Sequence, residues 1–124
     1  MLEKILVLED DQSNLDILKI MLESENYTVE GIYDANKLKD SLKDFQPDLL
    51  VMDIDLGNAD GRLLCNELKS DANFKQMPII LITGISHSQI AKIECEADAI
   101  IGKPFNVKNV ILAVDTLLSK LEIE

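Results

Sequence analysis

The strongest constraint on this chain is the run Leu49-Leu50-Val51-Met52, which ends abruptly at Asp53. An unbroken apolar run between Pro47-Asp48 and Gly57 lacks the alternation of a half-exposed strand. It reads as a strand buried on both faces, as in a parallel sheet. Asp53 then sits at the carboxyl end of that strand, where open α/β sheets place their ligand sites. Other strands are expected to deliver polar groups to the same edge.

They do. Lys4 to Leu8 reads as a first buried strand and runs directly into Glu9-Asp10-Asp11, adjacent acids that no interior holds without a compensating cation. Ser13 or Asn14 can cap a helix whose Leu15, Leu18, Met21 and Leu22 recur at three and four spacing, and Tyr27 to Tyr33 gives a second strand. A second helix starts at Ala35 or Asn36, with Leu38, Leu42 and Phe45 on one face, and Pro47 opens the third strand. After the Gly/Asn/Asp loop from Asp55 to Gly61, a third helix carries Leu63, Leu64 and Leu68. Pro78 to Ile82 is a fourth strand ending in Thr83-Gly84, and Ser86 to about Glu94 a short, weakly patterned helix. Ala99 to Ile101 is a fifth strand, ending in Gly102-Lys103-Pro104. Asn106 caps a last helix with Val107, Val110, Ile111, Val114, Leu117, Leu118 and Leu121 at core spacing. Alternating βα units with short connections predict a doubly wound α/β fold, a five-stranded parallel sheet with five helices.

At 124 residues the chain is one domain by length, enough to bury roughly 68% of its unfolded surface. The expected boundary is residues 1–124, with a core from about 4 to 121 and no output domain. A formal charge of -11, with Arg62 the single arginine, argues against a direct nucleic-acid ligand, since Lys and Arg contacts to phosphate dominate that affinity. Cys65 and Cys95 have no metal-ligand spacing, which predicts free thiols in a reducing compartment. No run reaches membrane-spanning length, so a cytoplasmic location is expected.

The strand ends thus offer Glu9, Asp10 and Asp11, then Asp53, Thr83 and Lys103. Carboxylates about 4 Å apart repel by roughly 4 kcal/mol per pair at an effective dielectric of 20, so the cluster calls for a cation. A few hard oxygen ligands with room for water and phosphate oxygens suit Mg²⁺. Thr83 and Lys103 supply a hydroxyl and a point charge, the donors that stabilise phosphoryl oxygens. Taken singly, Thr83 could satisfy backbone groups, Lys103 could be a solvated turn residue and Asp53 a turn or cap; their joint placement on successive strand ends argues otherwise. Asp11 reads as a solvent-facing or helix-start residue, and the lone His87 as a surface residue.

On Ile5-Leu6-Val7-Leu8-Glu9-Asp10-Asp11, Asp53 with Leu56 and Asp60-Gly61, Thr83, and Lys103-Pro104-Phe105, the chain resembles the receiver domain of two-component response regulators, from Lys4 to about Leu121. The resemblance implies a flavodoxin-like sheet of strand order 2-1-3-4-5. It implies that Asp53 accepts a phosphoryl group from a phosphohistidine on a sensor histidine kinase or phosphorelay protein. Glu9, Asp10, Asp53 and the main-chain carbonyl of Asp55 would hold Mg²⁺. Lys103 would pair with the phosphoryl group, Thr83 would report its presence, and the Lys103-Pro104 bond would be cis. The product would be a switch that binds a downstream protein differently in its two states, not an enzyme. The fourth helix, fifth strand and fifth helix would be its surface for dimerisation or for partner binding.

Several positions depart from the family pattern. Ile100 stands where an aromatic is usual, so coupling from Thr83 to the surface is expected to be weaker or to run through backbone and helix shifts. Gly84 replaces a frequent Ala and Gly57 a frequent Pro, while Asp55 and Ile85 flank the acceptor where the family tunes phosphoryl lifetime. The alternative is a Mg²⁺-dependent phosphatase: Asp53-Ile54-Asp55 resembles the first motif of haloacid-dehalogenase-type enzymes. Against it stand the late position of that motif, the missing acidic motif after Lys103 and the lack of length for a cap domain.

Overall fold

A computed structural model describes residues 2–84 and 95–123. Strands β1 (Lys4–Leu8), β2 (Thr28–Ile32), β3 (Leu49–Asp53), β4 (Ile79–Thr83) and β5 (Ala99–Gly102) form one parallel sheet in the order β2-β1-β3-β4-β5. Four α-helices stand among the described residues: α1 (Gln12–Ser24), α2 (Leu38–Phe45), α3 (Gly61–Ser70) and α4 (Val107–Ile123). The predicted helix from Ser86 to Glu94 lies outside the described residues, as do Ile85 and His87. The architecture is the expected doubly wound, flavodoxin-like sheet.

Burial follows position in the sheet. Every residue of β3 and β4 is buried, whereas the edge strands β2 and β5 are only partly so. Alternate side chains go to opposite faces. Ile5, Val7, Val51, Ile80 and Ile82 pack under α1 and α4, against Leu15, Leu18, Leu22, Val110, Val114 and Leu118. Leu6, Leu8, Leu50, Met52 and Leu81 pack under α2 and α3, against Leu38, Leu42, Cys65 and Leu68. Each such side chain contributes roughly 1.5–3 kcal/mol on burial.

The helix starts differ from the sequence expectation in informative ways. Asp11, not Ser13 or Asn14, caps α1: its Oδ1 accepts from the Asn14 N–H at 3.1 Å. Asp10 is turned into the carboxylate cluster, and Asp11, with extended backbone at φ -88° and ψ 116°, takes the cap. Ahead of α2, Ala35–Lys37 forms a 3₁₀ turn capped by the Asp34 side chain. In α3, Leu68 is buried but Leu63 is 53% exposed, and Cys65 takes the core position instead. Asn106 does cap the last helix, its Oδ1 accepting from the Lys108 N–H at 2.8 Å. Val107 nevertheless lies outside the core at 39% exposure.

Candidate functional site

Parallel strands bring their carboxyl ends to one rim, and register sets the steps along it. Asp53 pairs in register with Ile82, one residue short of Thr83, and Thr83 pairs with Gly102, one residue short of Lys103. The Lys103 N–H donates to the Thr83 carbonyl at 2.6 Å, fixing the two residues to each other. The Lys103-Pro104 peptide is cis.

Glu9, Asp10 and Asp53 each turn a carboxylate oxygen into one cluster, all within 4.8 Å of one another. Glu9 and Asp53 are buried, at 1% and 4% exposure, while Asp10 is open to solvent. Lys103 Nζ donates to Asp53 Oδ2 at 2.8 Å and to Glu9 Oε1 at 3.2 Å. The second Asp53 oxygen, Oδ1, accepts from the Asp55 N–H at 3.1 Å, and Glu9 Oε1 also accepts from the Asp11 N–H at 3.2 Å. Thr83 is buried at the same rim, on the strand beside Asp53.

Charge is in excess at this rim. Burial pushes the Glu9 carboxyl up to about 7, the Asp53 charge adds to the shift, and Lys103 opposes it. Burial acts to lower the Lys103 ammonium, but its hydrogen bond to Asp53 and the charges of Asp53 and Glu9 outweigh that and raise it. One lysine does not satisfy the site: Glu9 Oε2 is buried with no hydrogen-bond partner among the described residues. An orphaned carboxylate oxygen beside two further carboxylates fits a small divalent cation with hard oxygen ligands, reached from solvent past Asp10. The predicted residues Glu9, Asp10, Asp53, Thr83 and Lys103 are therefore gathered at one rim. Asp55 lies next to it, its exposed side chain accepting from the Gly57 N–H at 3.2 Å.

Asp60 and Gly61, part of the motif read in the sequence, support the site in a way the sequence does not show. A Cβ on Gly61 would lie 2.4 Å from the Asp53 carbonyl oxygen and 3.0 Å from Ile54 Cα, so only glycine lets α3 start against the end of β3. Its N–H donates to the Ile54 carbonyl at 2.7 Å. Next to it, Asp60 caps α3 through the Arg62 N–H at 2.8 Å and pairs with the largely buried Arg62 guanidinium, Nη2 to Oδ2 at 2.7 Å. Hydrogen bonds from Arg62 hold the Asp60 carboxyl below its ordinary value. The Asp60-Gly61 pair is the signal visible in sequence; its contact with Asp53 is not.

The family model for the response regulator receiver domain matches residues 5–115, and the chain belongs to that family. Among curated proteins it is 30% identical over 121 residues to the DNA-binding dual master transcriptional regulator RpaA of Synechocystis sp.. That match covers 96% of this chain and 50% of the relative, so the chain spans about half the length of that relative. Among solved structures it is similar to the signal receiver domain of a signal transduction histidine kinase from Syntrophus aciditrophicus, at 31% identity and TM-score 0.88, covering 95% of this chain and 91% of that one. It is also similar to a response regulator receiver domain protein from Methanospirillum hungatei JF-1, at 27% identity and TM-score 0.88, covering 98% of each chain. The haloacid-dehalogenase-type alternative is not favoured by these matches.

Proposed function

We propose that the chain is a Mg²⁺-dependent phosphoaccepting switch in two-component signalling, with Asp53 as the acceptor. The observation that carries this is the Asp53 carboxylate held at the strand end by Lys103 and the Asp55 N–H, beside the orphaned oxygen of Glu9. In this reading an Asp53 oxygen attacks the phosphorus of a phosphohistidine on a sensor histidine kinase or phosphorelay protein. The P–N bond breaks, its electron pair stays on the imidazole nitrogen, and that nitrogen takes up a proton.

Glu9, Asp10, Asp53 and the Asp55 main-chain carbonyl are the groups assigned to the cation, which supplies positive charge to the phosphoryl oxygens. Lys103 exchanges part of its bond to Asp53 for the incoming phosphoryl oxygen, and Thr83 hydrogen-bonds the same group. Sites of this kind work by charge and position rather than by turnover of a substrate, and the output is a shifted preference for a downstream protein.

Ile100 is 42% exposed on the edge strand β5 and carries no aromatic ring, so in this reading the signal leaves Thr83 through the backbone hydrogen bond that it shares with Lys103. Gly84 is not forced by packing, since a Cβ there would meet only Lys103 Cβ at 3.9 Å. The test of the acceptor is incubation with a small acyl-phosphate donor and Mg²⁺. Wild type gains one phosphoryl group in its intact mass and Asp53→Asn gains none; incorporation that persists in the variant removes Asp53 from the role.

A further inference from the structure

The face of the sheet covered by α2 and α3 holds a second feature, at the edge opposite Asp53, where the chain enters β3 and β4. A cavity of about 750 Å³ lies between the two helices, and a second of about 310 Å³ adjoins it, both lined by Lys39, Glu67 and Leu68. The apolar floor is made by the half-buried Phe74 and Met77, lying over the buried Leu42 and Leu68. Lys39 and Lys43 stand four residues apart along the α2 wall, and Glu67 and Asp71 stand four apart along α3 and its C-cap.

Neither lysine nor Glu67 enters an ion pair among the described residues, and Asp71 spends one carboxylate oxygen on the Asn73 N–H at 2.8 Å. The groove therefore has a basic wall and an acidic wall that share an apolar floor without neutralising each other. We propose that it is a docking groove for an amphipathic helix of a partner protein, with an apolar ridge on the floor, acidic residues toward Lys39 and Lys43, and basic residues toward Glu67 and Asp71.

Charge complementarity selects this occupant. Spacing of i, i+4 on both walls matches the spacing of side chains along one flank of a helix, and a helix laid in a groove is read through such anchors. A small apolar molecule would fill the floor and leave both charged rows unpaired. A second copy would bring a concave surface to a concave surface and add another net charge of -11. The larger cavity, with its Lys43 and Asp71, lies at the far edge from Asp53, and the smaller one continues between the helices toward Ala35 and Leu64.

The test uses the full chain with labelled methyl groups and a designed helical peptide bearing a leucine ridge, a glutamate flank and a lysine flank. Saturable shifts are expected at the Leu42, Leu68 and Met77 methyls. The double variant Lys39→Glu, Lys43→Glu should weaken the complex by about tenfold at low ionic strength. A second peptide, with lysines on both flanks, should restore binding to the variant at the same methyls. Shifts located elsewhere, affinity indifferent to the reversal, or a benzene-sized solute that saturates these methyls while the peptide does not, would each overturn the proposal.

Discussion

β3 contains both extremes of this molecule within one strand. Leu49 to Met52 are at most 1% exposed and surrounded by apolar side chains on both faces, while Asp53, 4% exposed, faces two other carboxylates and a lysine. The interior gains free energy from every residue that it buries. The rim instead holds a carboxyl displaced from its ordinary range and an oxygen with no partner among the described residues. A cluster of this kind is not explained as a stabilising feature; it is tolerated because the strands beneath it are fixed by their core. The contrast separates what makes the fold from what the fold is for.

The largest expected effect lies in the interior. Leu50→Ala, at a fully buried position in the middle of β3, should cost about 3–4 kcal/mol in denaturant unfolding. A cost under about 1 kcal/mol would mean that the interior is not the source of stability assumed here.

At the rim the sign reverses. Glu9 is pushed up to about 7 from 4.5, so in the metal-free protein the folded state holds its proton more tightly than the unfolded state does. The Glu9 contribution to stability is present below the unfolded value and is lost as pH rises from about 4.5 through 7, by on the order of 3 kcal/mol. Removing the group isolates this contribution from that of other carboxyls such as Asp60, which is lowered and acts in the opposite direction. Glu9→Gln should therefore gain stability relative to wild type between pH 4.5 and pH 8 in chelator, as followed by urea unfolding at each pH. A difference that is flat with pH would mean that burial at the rim does not raise the Glu9 carboxyl.

Addition of Mg²⁺ near pH 8 should raise the unfolding temperature of wild type, by an amount equivalent to about 2.7 kcal/mol at a hundredfold excess over the dissociation constant. Asp10→Asn should lose most of that response while its metal-free stability is no lower than wild type, because Asp10 is exposed and its charge adds to the repulsion in the cluster. Equal Mg²⁺ responses in the two proteins would place the ion elsewhere. The smallest effect is expected at Asp11, where Ala removes the α1 cap for about 1 kcal/mol with no change in cation response.

The interior was legible in the sequence because a strand buried on both faces has few alternative readings. Leu49 to Met52 and Pro78 to Ile82 gave their strands almost to the residue, and their polar ends gave the rim. Details that depend on contacts between distant residues were not legible. The phase of α3 is an example: Gly61 has to lie against the Asp53 carbonyl, which turns Cys65 and Leu68 inward and Leu63 outward, although Leu63 is as apolar as its neighbours. The cap of α1 was expected at Ser13 or Asn14 and falls at Asp11, two or three residues earlier, because all three residue types can cap and the sequence does not show where the chain turns out of β1. That Lys103 would bond both Glu9 and Asp53, and leave Glu9 Oε2 without a partner, follows only from side-chain geometry at the rim.

The proposed role of the rim is to carry a phosphoryl group on Asp53. It is tested most directly by locating the bond. Wild type treated with Mg²⁺ and a small acyl-phosphate donor can be trapped with hydride, which converts an acyl phosphate on aspartate to homoserine, and then read by peptide mass. The account predicts homoserine at position 53 and at no other aspartate; label at Asp10 or Asp55, or none at all, would contradict it.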